Sequence, residues 1–347
     1  MSDSFKISII VPCRNENGHI RRFLDSLLAQ ELDGVRWEAI IADGMSDDGT
    51  RAVLDEYCRR DPRLRIVDNP ERIASTGLNR AILAARGEII IRMDAHTWYA
   101  RDYCARCVEA LERTGADNAG GPARTIARGT LARAIAAAFH SPFSTGGGRF
   151  HDETYEGWVD TVPYGCWRRE TLLQLGLFDE KLVRSQDDEL NLRLIRRGGK
   201  IWQSPAIVSW YSPRPTLSAL FRQYFQYGFW KVAVIRKHRI PASWRHLVPA
   251  AFVLANIIPG SATLMAAIIG AADWRDLAGL AWMAVLAPYV VLTVAASIRA
   301  ARRSGLASLP CLPAVFATYH VSYGLGSLAG VFQKNAAGDS IFVRLTR

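Results

Sequence analysis

The stretch Glu88-Ile-Ile-Ile-Arg-Met-Asp-Ala-His96 decides how this chain is read. Glu88 to Ile91 reads as a buried strand, because an unbroken β-branched run suits a strand covered on both faces. An Arg, a carboxylate and an imidazole follow at once, and such groups are costly to bury without partners. Asp94 and His96 can each offer a ligand to a divalent cation. An acid–x–ligand triplet alone is a weak signal, so its weight comes from its place in the chain.

Upstream, strand and helix signals alternate. Ile7–Val11 is a short β-branched strand, broken by Pro12-Cys13-Arg14-Asn15-Glu16-Asn17-Gly18, and a helix follows from about His19 to Gln30. Trp37–Ala42 is the second strand, and Asp43 to Thr50 supplies acids and a hydroxyl able to cap a helix reaching Arg60. Leu64–Val67 is the third strand, and a helix from about Ala74 to Ala85 leads to Glu88. Such spacing implies right-handed crossovers and a parallel, doubly wound α/β sheet. Ligands of such sheets bind beyond the carboxyl ends of the strands. Three polar clusters fall at those ends: Arg14/Asn15/Glu16, Asp43/Asp48 and Asp94/His96. Neither Gly-x-Gly-x-x-Gly nor a Walker-type Gly-Lys-Ser/Thr occurs, which leaves a nucleotide held by carboxylates and a metal.

The rest of the chain differs in kind. Leu247–Ala272, Leu277–Ile298 and Ser304–Gln333 lack charged side chains, and each is long enough to cross a bilayer, which takes about 20 residues. Three membrane helices are expected, with Pro249, Pro259 and Pro288 kinking them. Met1–Lys6 is polar and Ile7–Val11 is too short for a signal sequence, so the N-terminal portion is expected in the cytosol. Arg236, Lys237, Arg239 and Arg245 precede the first segment. Asp273, Arg275 and Asp276 form a nearly neutral loop, and Arg299, Arg302 and Arg303 follow the second segment. The positive-inside rule then gives in–out–in, with a short tail outside once the third segment spans. The net charge of +10 is explained by a basic skirt beside anionic headgroups, not by nucleic acid, for which no binding motif occurs. Cys104-x-x-Cys107 has no second pair and reads as core, not as a zinc site.

"ISIIVPCRNE", "IIADGMSDDGT", "RMDAH" and "SQDDELNLRL", in this order, resemble a family 2 inverting glycosyltransferase. The closer likeness is to the ExoA-type succinoglycan glycosyltransferases, and it covers about Ile7 to His238 plus the apolar tail. It implies a GT-A fold, a Rossmann-like, mostly parallel α/β catalytic domain, followed by α-helical transmembrane segments. Expected boundaries are a cytosolic catalytic domain over 1–212, an amphipathic interfacial helix and basic segment over 213–245, membrane helices within 246–335 (about 247–272, 277–298 and 305–332), and a tail over 336–347.

The resemblance also implies roles. Pro12, Arg14 and Glu16 lie in the nucleotide-binding loop, with Glu16 at the ribose. Asp43 accepts from the uracil imide and Arg72 approaches the nucleotide. Asp94 is the first acid of the Asp-x-Asp motif and would bind the nucleotide sugar's ribose or the metal, and His96 stands in place of the second acid as a metal ligand, with Mn²⁺ preferred over Mg²⁺ for an imidazole. Asp187 is the expected catalytic base and Asp188 its alternate. Three successive acids, Asp187 to Glu189, should raise one another's pKa where they share a site. The same acids also suit a helix N-terminus. Gly165 belongs to an acceptor-side loop, and Gln226 and Trp230 to a motif like the Gln-x-x-Arg-Trp of processive relatives, with Phe229 where Arg is usual. Ser144–Arg149 reads as a flexible loop closing over the donor.

The expected activity is transfer of one sugar from a nucleotide diphosphate sugar, UDP-glucose foremost, to a polyprenyl-diphosphate-linked saccharide. This would take place at the bacterial inner membrane, with the catalytic domain facing the cytoplasm. A processive polysaccharide synthase and a non-catalytic sugar-nucleotide-binding membrane protein are the alternatives.

Overall fold

The computed structural model describes residues 5–32, 34–241 and 243–333. The expected tail over 336–347 and the first four residues lie outside the described residues. The chain forms two compact units, one running to Ile126 and resuming over Gly148–Ser212, the other made of Ala127–Gly147 and the chain from Pro213 onward. The insert Ala127–Gly147, which lies within the expected catalytic stretch 1–212, belongs to the second unit.

In the first unit, β1 (Ile7–Cys13), α1 (Ile20–Leu28), β2 (Trp37–Asp43), α2 (Thr50–Arg60), β3 (Leu64–Asp68), α3 (Ala74–Ala84) and β4 (Ile89–Arg92) follow the expected alternation. Next come β5 (Thr97–Tyr99), α4 (Tyr103–Thr114), β6 (Asn118–Gly120) and β7 (Arg124–Thr125). The insert holds α5 (Thr130–Phe139) and α6 (Pro142–Thr145). The first unit resumes with β8 (Gly157–Val159), β9 (Cys166–Arg168), α7 (Arg169–Leu175), α8 (Gln186–Arg196), β10 (Ile201–Gln203) and β11 (Ser209–Tyr211).

The main sheet has the order β3-β2-β1-β4-β9-β6-β10-β8. The first four strands are parallel, as expected. β9 then runs antiparallel to both β4 and β6, and β8 runs antiparallel to β10, so the sheet is mixed. β5, β11 and β7 form a second, small sheet.

Strand alternation explains the triple isoleucine. Ile89 and Ile91 join Ile9, Val11 and the α1 stripe Ile20, Phe23, Leu24, Leu27 on one face, while Ile90 joins Ile10, Ile40, Leu78 and Trp167 on the other. Each fully buried side chain of this size contributes roughly 1.5–3 kcal/mol. Cys104 and Cys107 are buried free thiols in the first of these cores.

The second unit is helical: after α5 and α6 come α9 (Leu217–His238), α10 (Val248–Ile268), α11 (Ala272–Ser304) and α12 (Leu312–Phe332). Among the described residues two helical stretches are long and apolar enough to cross a membrane, Trp244–Ile268 and Ala272–Ser304. Asp273, Arg275 and Asp276, expected in a loop, lie in the first turns of α11, and the connection shrinks to Ile269–Ala271. Pro249 sits in the first turn of α10, where its missing N–H costs nothing, and helices continue through Pro259 and Pro288. The third expected span becomes α12, whose Ser322, Gly324, Gly326, Ser327 and Gly330 are buried. The helix expected to lie at the membrane interface is α9, with Phe229, Trp230, Lys231 and Val232 buried. Ser144 and Thr145, the first two residues of the loop expected over Ser144–Arg149, end α6 (Pro142–Thr145).

Glycines let α9 and α12 approach closely. A Cβ on Gly228 would stand 2.1 Å from the Tyr323 carbonyl oxygen, whereas one on Gly279 would meet only the Thr263 methyl at 3.9 Å. Gly228→Ala should therefore lower the unfolding free energy by about 1–3 kcal/mol, as overpacking does. Gly279→Ala should be nearly neutral. Thermal unfolding of both variants in detergent checks this, and equal midpoints would contradict the packing.

Candidate active site

The loops leaving β1 and β2 are laced together. The strands run parallel with Cys13 beside Asp43, and the Gly44 N–H donates to the Cys13 carbonyl at 2.7 Å. Asn15 adopts φ +53°, a left-handed conformation that Asn tolerates well. Its N–H donates to Ser46 Oγ at 3.0 Å, and its amide exchanges hydrogen bonds with Asp47 at 2.9 and 3.1 Å. The Glu16 N–H donates to Thr50 Oγ1 at 2.8 Å.

Asp43 is buried at the end of β2. Its Oδ1 accepts from the Ser46 hydroxyl at 2.6 Å and its Oδ2 from Arg51 at 3.3 Å, while Arg51 also reaches Asp68 at the end of β3 at 2.6 Å. The base-reading acid expected here thus already organises its own loop. Arg14 Nη1 lies 3.5 Å from the Arg72 carbonyl, so these two residues, with Pro12, Glu16 and Asp43, share one edge of the sheet.

Arg92 occupies the centre. It ends β4, is only 4% exposed, and its backbone is fixed by the Gly165 carbonyl, which accepts its N–H at 3.0 Å. Its guanidinium grips Asp94 through two hydrogen bonds, at 2.9 and 3.1 Å, and donates through Nη1 to Asp187 Oδ1. Burial works against the Arg92 charge, but Asp187 and Asp94 more than offset it, so its pKa lies above the ordinary value. Asp187 stands on the first turn of α8, behind Ser185 at φ +59°. Desolvation pushes its pKa up. Arg92 opposes the shift, but one guanidinium is shared between two carboxylates, and Asp94 and Asp188 add to the rise. Glu189, expected in the same acidic site, is instead buried in an ion pair with Arg193 at 2.6 Å.

Two tyrosines complete the wall. The Asp94 N–H donates to the Tyr99 hydroxyl at 2.7 Å, and the Tyr164 hydroxyl lies 2.8 Å from Thr97 Oγ1. Burial raises both phenol pKa values, so both stay neutral. Neither tyrosine carries a sequence signal, and Arg51 carries none either. Arg92 had one: a charged residue directly after a buried strand.

His96 Nδ1 lies 3.2 Å from Glu16 Oε1, so Glu16 partners the imidazole where a ribose contact was expected. Among the described residues no cluster of three or more His, Cys, Asp or Glu side chains could hold a metal. Asp94 and His96 nonetheless fit part of a cation site. A carboxylate and an imidazole are suitable donors, and a carboxylate on the other ring nitrogen, as Glu16 could supply, usually orients a ligating histidine.

The expected acceptor residues fare differently. Gly165 is a packing position: at φ +104°, a Cβ there would come within 2.4 Å of the Trp167 ring. Gln226 and Trp230 lie on α9 in the second unit and are 7% and 1% exposed.

Residues 8–172 match the family model described as Glycosyl transferase family 2. The chain is 36% identical to the succinoglycan biosynthesis protein ExoA of Rhizobium meliloti (strain 1021), over 70% of this chain and 74% of that protein. It is 29% identical to a dolichyl N-acetyl-alpha-D-glucosaminyl phosphate 3-beta-D-2,3-diacetamido-2,3-dideoxy-beta-D-glucuronosyltransferase of Methanococcus voltae, over 73% of this chain and 81% of the relative. Among solved structures, the mannosyltransferase PcManGT from Pyrobaculum calidifontis, in complex with GDP-Man and Mn²⁺, superposes with a TM-score of 0.59 at 19% identity, covering 96% of this chain and 89% of that one.

Removing the central cation should be costly. Arg92→Gln leaves Asp94 and Asp187 facing each other without a counter-charge, which should lower stability by about 3 kcal/mol, the low end for a broken buried pair, since 36% of the Asp187 side chain is exposed. In that variant the folded carboxylates bind protons more tightly than the unfolded ones, so the deficit should shrink as pH falls. Unfolding midpoints at pH 5 and pH 8 check the sign, and a deficit that grows in acid would contradict the geometry.

Proposed function

The chain belongs to glycosyl transferase family 2 and has the GT-A fold, and on that premise we propose that it is a membrane-anchored, inverting glycosyltransferase. In this reading it moves one sugar from a nucleotide diphosphate sugar, UDP-glucose foremost, to a polyprenyl-diphosphate-linked saccharide in exopolysaccharide or cell-surface glycan synthesis. The observation that carries the proposal is Asp187, held by Arg92 beside Asp94 at the carboxyl edge of the parallel strands. The name of the Rhizobium relative places that protein in succinoglycan biosynthesis, and that of the Methanococcus relative names a lipid-phosphate-linked sugar. The second supports a lipid-linked acceptor, the first a role in exopolysaccharide synthesis, and the two long apolar helices support a membrane anchor.

The chemistry follows from the residues. Arg92 holds Asp187 Oδ1, which leaves Oδ2 to take the proton of the acceptor hydroxyl. The raised pKa suits a general base. As that proton leaves, the hydroxyl oxygen attacks the anomeric carbon from the face opposite the leaving group. The bond from that carbon to the diphosphate oxygen breaks, its electron pair departs with the nucleotide, and the configuration inverts. Asp94 and His96 would hold a divalent cation, with Glu16 orienting the imidazole. When bound, such a cation supplies charge neutralisation for the departing diphosphate. PcManGT was solved with Mn²⁺, which supports a divalent cation, and the imidazole donor favours Mn²⁺ over Mg²⁺.

Incubating the purified full chain with labelled UDP-glucose, bacterial lipid extract and Mn²⁺ should carry label into the organic phase. Asp187→Asn should cut that transfer by about 10²–10⁴-fold while nucleotide binding persists. Absence of lipid-phase label across UDP-, GDP- and dTDP-sugars would refute the proposal, and near-native turnover by Asp187→Asn would refute the base.

A further inference from the structure

The third apolar helix, α12, has no place in a two-helix anchor, and we propose that it does not cross the bilayer. The chain crosses twice, through α10 and α11, and Gln333 lies on the same side as Arg239. This rests on reading the α10–α11 hairpin as membrane-inserted.

The hairpin has the chemistry of a lipid-facing pair. Leu264, Ile268, Leu277 and Leu280 are 60–71% exposed. Asn256, Thr263 and Trp282 are satisfied within the pair. Asn256 Nδ2 donates to the Phe252 carbonyl at 2.8 Å, Thr263 Oγ1 to the Pro259 carbonyl at 2.8 Å, and Trp282 Nε1 to Asn256 Oδ1 at 3.3 Å. That is what hydrocarbon demands of buried donors. The 21 residues of α10 rise about 31 Å at 1.5 Å each, close to the roughly 30 Å hydrocarbon thickness. Trp244 and Trp274, 75% and 70% exposed, flank that length as interfacial tryptophans do. Asp273, Arg275 and Asp276 are exposed beside the turn, on the far side.

α12 belongs to the other end. It runs alongside α9 in the same direction: Gly326 lies against Phe225, Gly330 against Phe229 and Val232, and Arg236 donates to the Val331 and Gln333 carbonyls. α9 carries Arg222 and Lys231 within its length and Arg236 and Lys237 at its end, so it is excluded from hydrocarbon. A helix bound along α9 shares its depth. α12 also bridges the near end of the hairpin. Gly324 meets Pro249 and Val253 in the first turns of α10, and Leu312, Val315 and Phe316 share an apolar cluster with Ala300 and Ala301, in the last turns of α11. Farther up the hairpin, His320 reaches the Tyr289 hydroxyl at 3.0 Å. The polar and glycine-rich composition that weakens α12 as a span is what this packing uses.

Single cysteines test the topology in the full chain carrying Cys58→Ala and Cys311→Ala. Arg239→Cys, Asp273→Cys and Gln333→Cys are each exposed to a membrane-impermeant maleimide in intact spheroplasts, then to a fluorescent maleimide in detergent. Asp276→Cys and Phe332→Cys duplicate the tip and end positions should a variant fail to fold. Arg239→Cys and Gln333→Cys should label together, only after detergent, and Asp273→Cys should lose its fluorescent label to prior blocking. Gln333→Cys blocked together with Asp273→Cys would overturn the inference and give three crossings. If Asp273→Cys behaves like Arg239→Cys, the hairpin does not cross, and the membrane reading fails together with the inference.

Discussion

One buried guanidinium organises this catalytic unit. Arg92 sits at the end of a strand whose other residues are wholly apolar, and it survives there because two carboxylates flank it. Those carboxylates come from segments nearly a hundred residues apart. The pair with Asp187 therefore fixes the first turn of α8 against the carboxyl edge of the sheet. It also sets the chemistry: burial makes Asp187 more basic than an ordinary aspartate, and a single positive charge divided between two acids, with Asp188 beside them, does not cancel that rise.

The neighbouring strand ends follow the same logic with different groups. Asp43 gathers Ser46 and Arg51, Arg51 gathers Asp68, and Glu16 gathers His96. Each link holds a loop whose backbone polar groups would otherwise lie unpaired at the sheet edge. Under the proposed function the same side chains also face the donor, so substitutions there should affect folding and donor binding together.

The first half of the unit was legible in the sequence because its strands are five to seven residues long or unbroken isoleucine, and its helices show a clear apolar stripe. β6 to β11 have two or three residues each, too few for any periodicity, and β9 inserts antiparallel between β4 and β6 through contacts distant in the chain. That is why the mixed half of the sheet was invisible. Of the site, the positions of Asp43, Asp94, His96 and Asp187 at strand ends and at the start of α8 were readable, but their partners were not. Nothing local says that Asp94 turns to Arg92, that Glu189 turns away to Arg193, or that Trp230 on α9 is buried. In the tail, the absence of charged side chains puts α12 beside α10 and much of α11. Its glycine face and its bond to a charged helix set it apart.

The account stands or falls on the basicity of Asp187. The pH dependence of kcat for sugar transfer measures it most directly, with the native chain compared with Asp188→Asn. The account predicts an acid limb whose midpoint lies above the ordinary aspartate value of about 4 and moves down once the Asp188 charge is gone. A limb at or below 4 that does not respond to Asp188→Asn would contradict it.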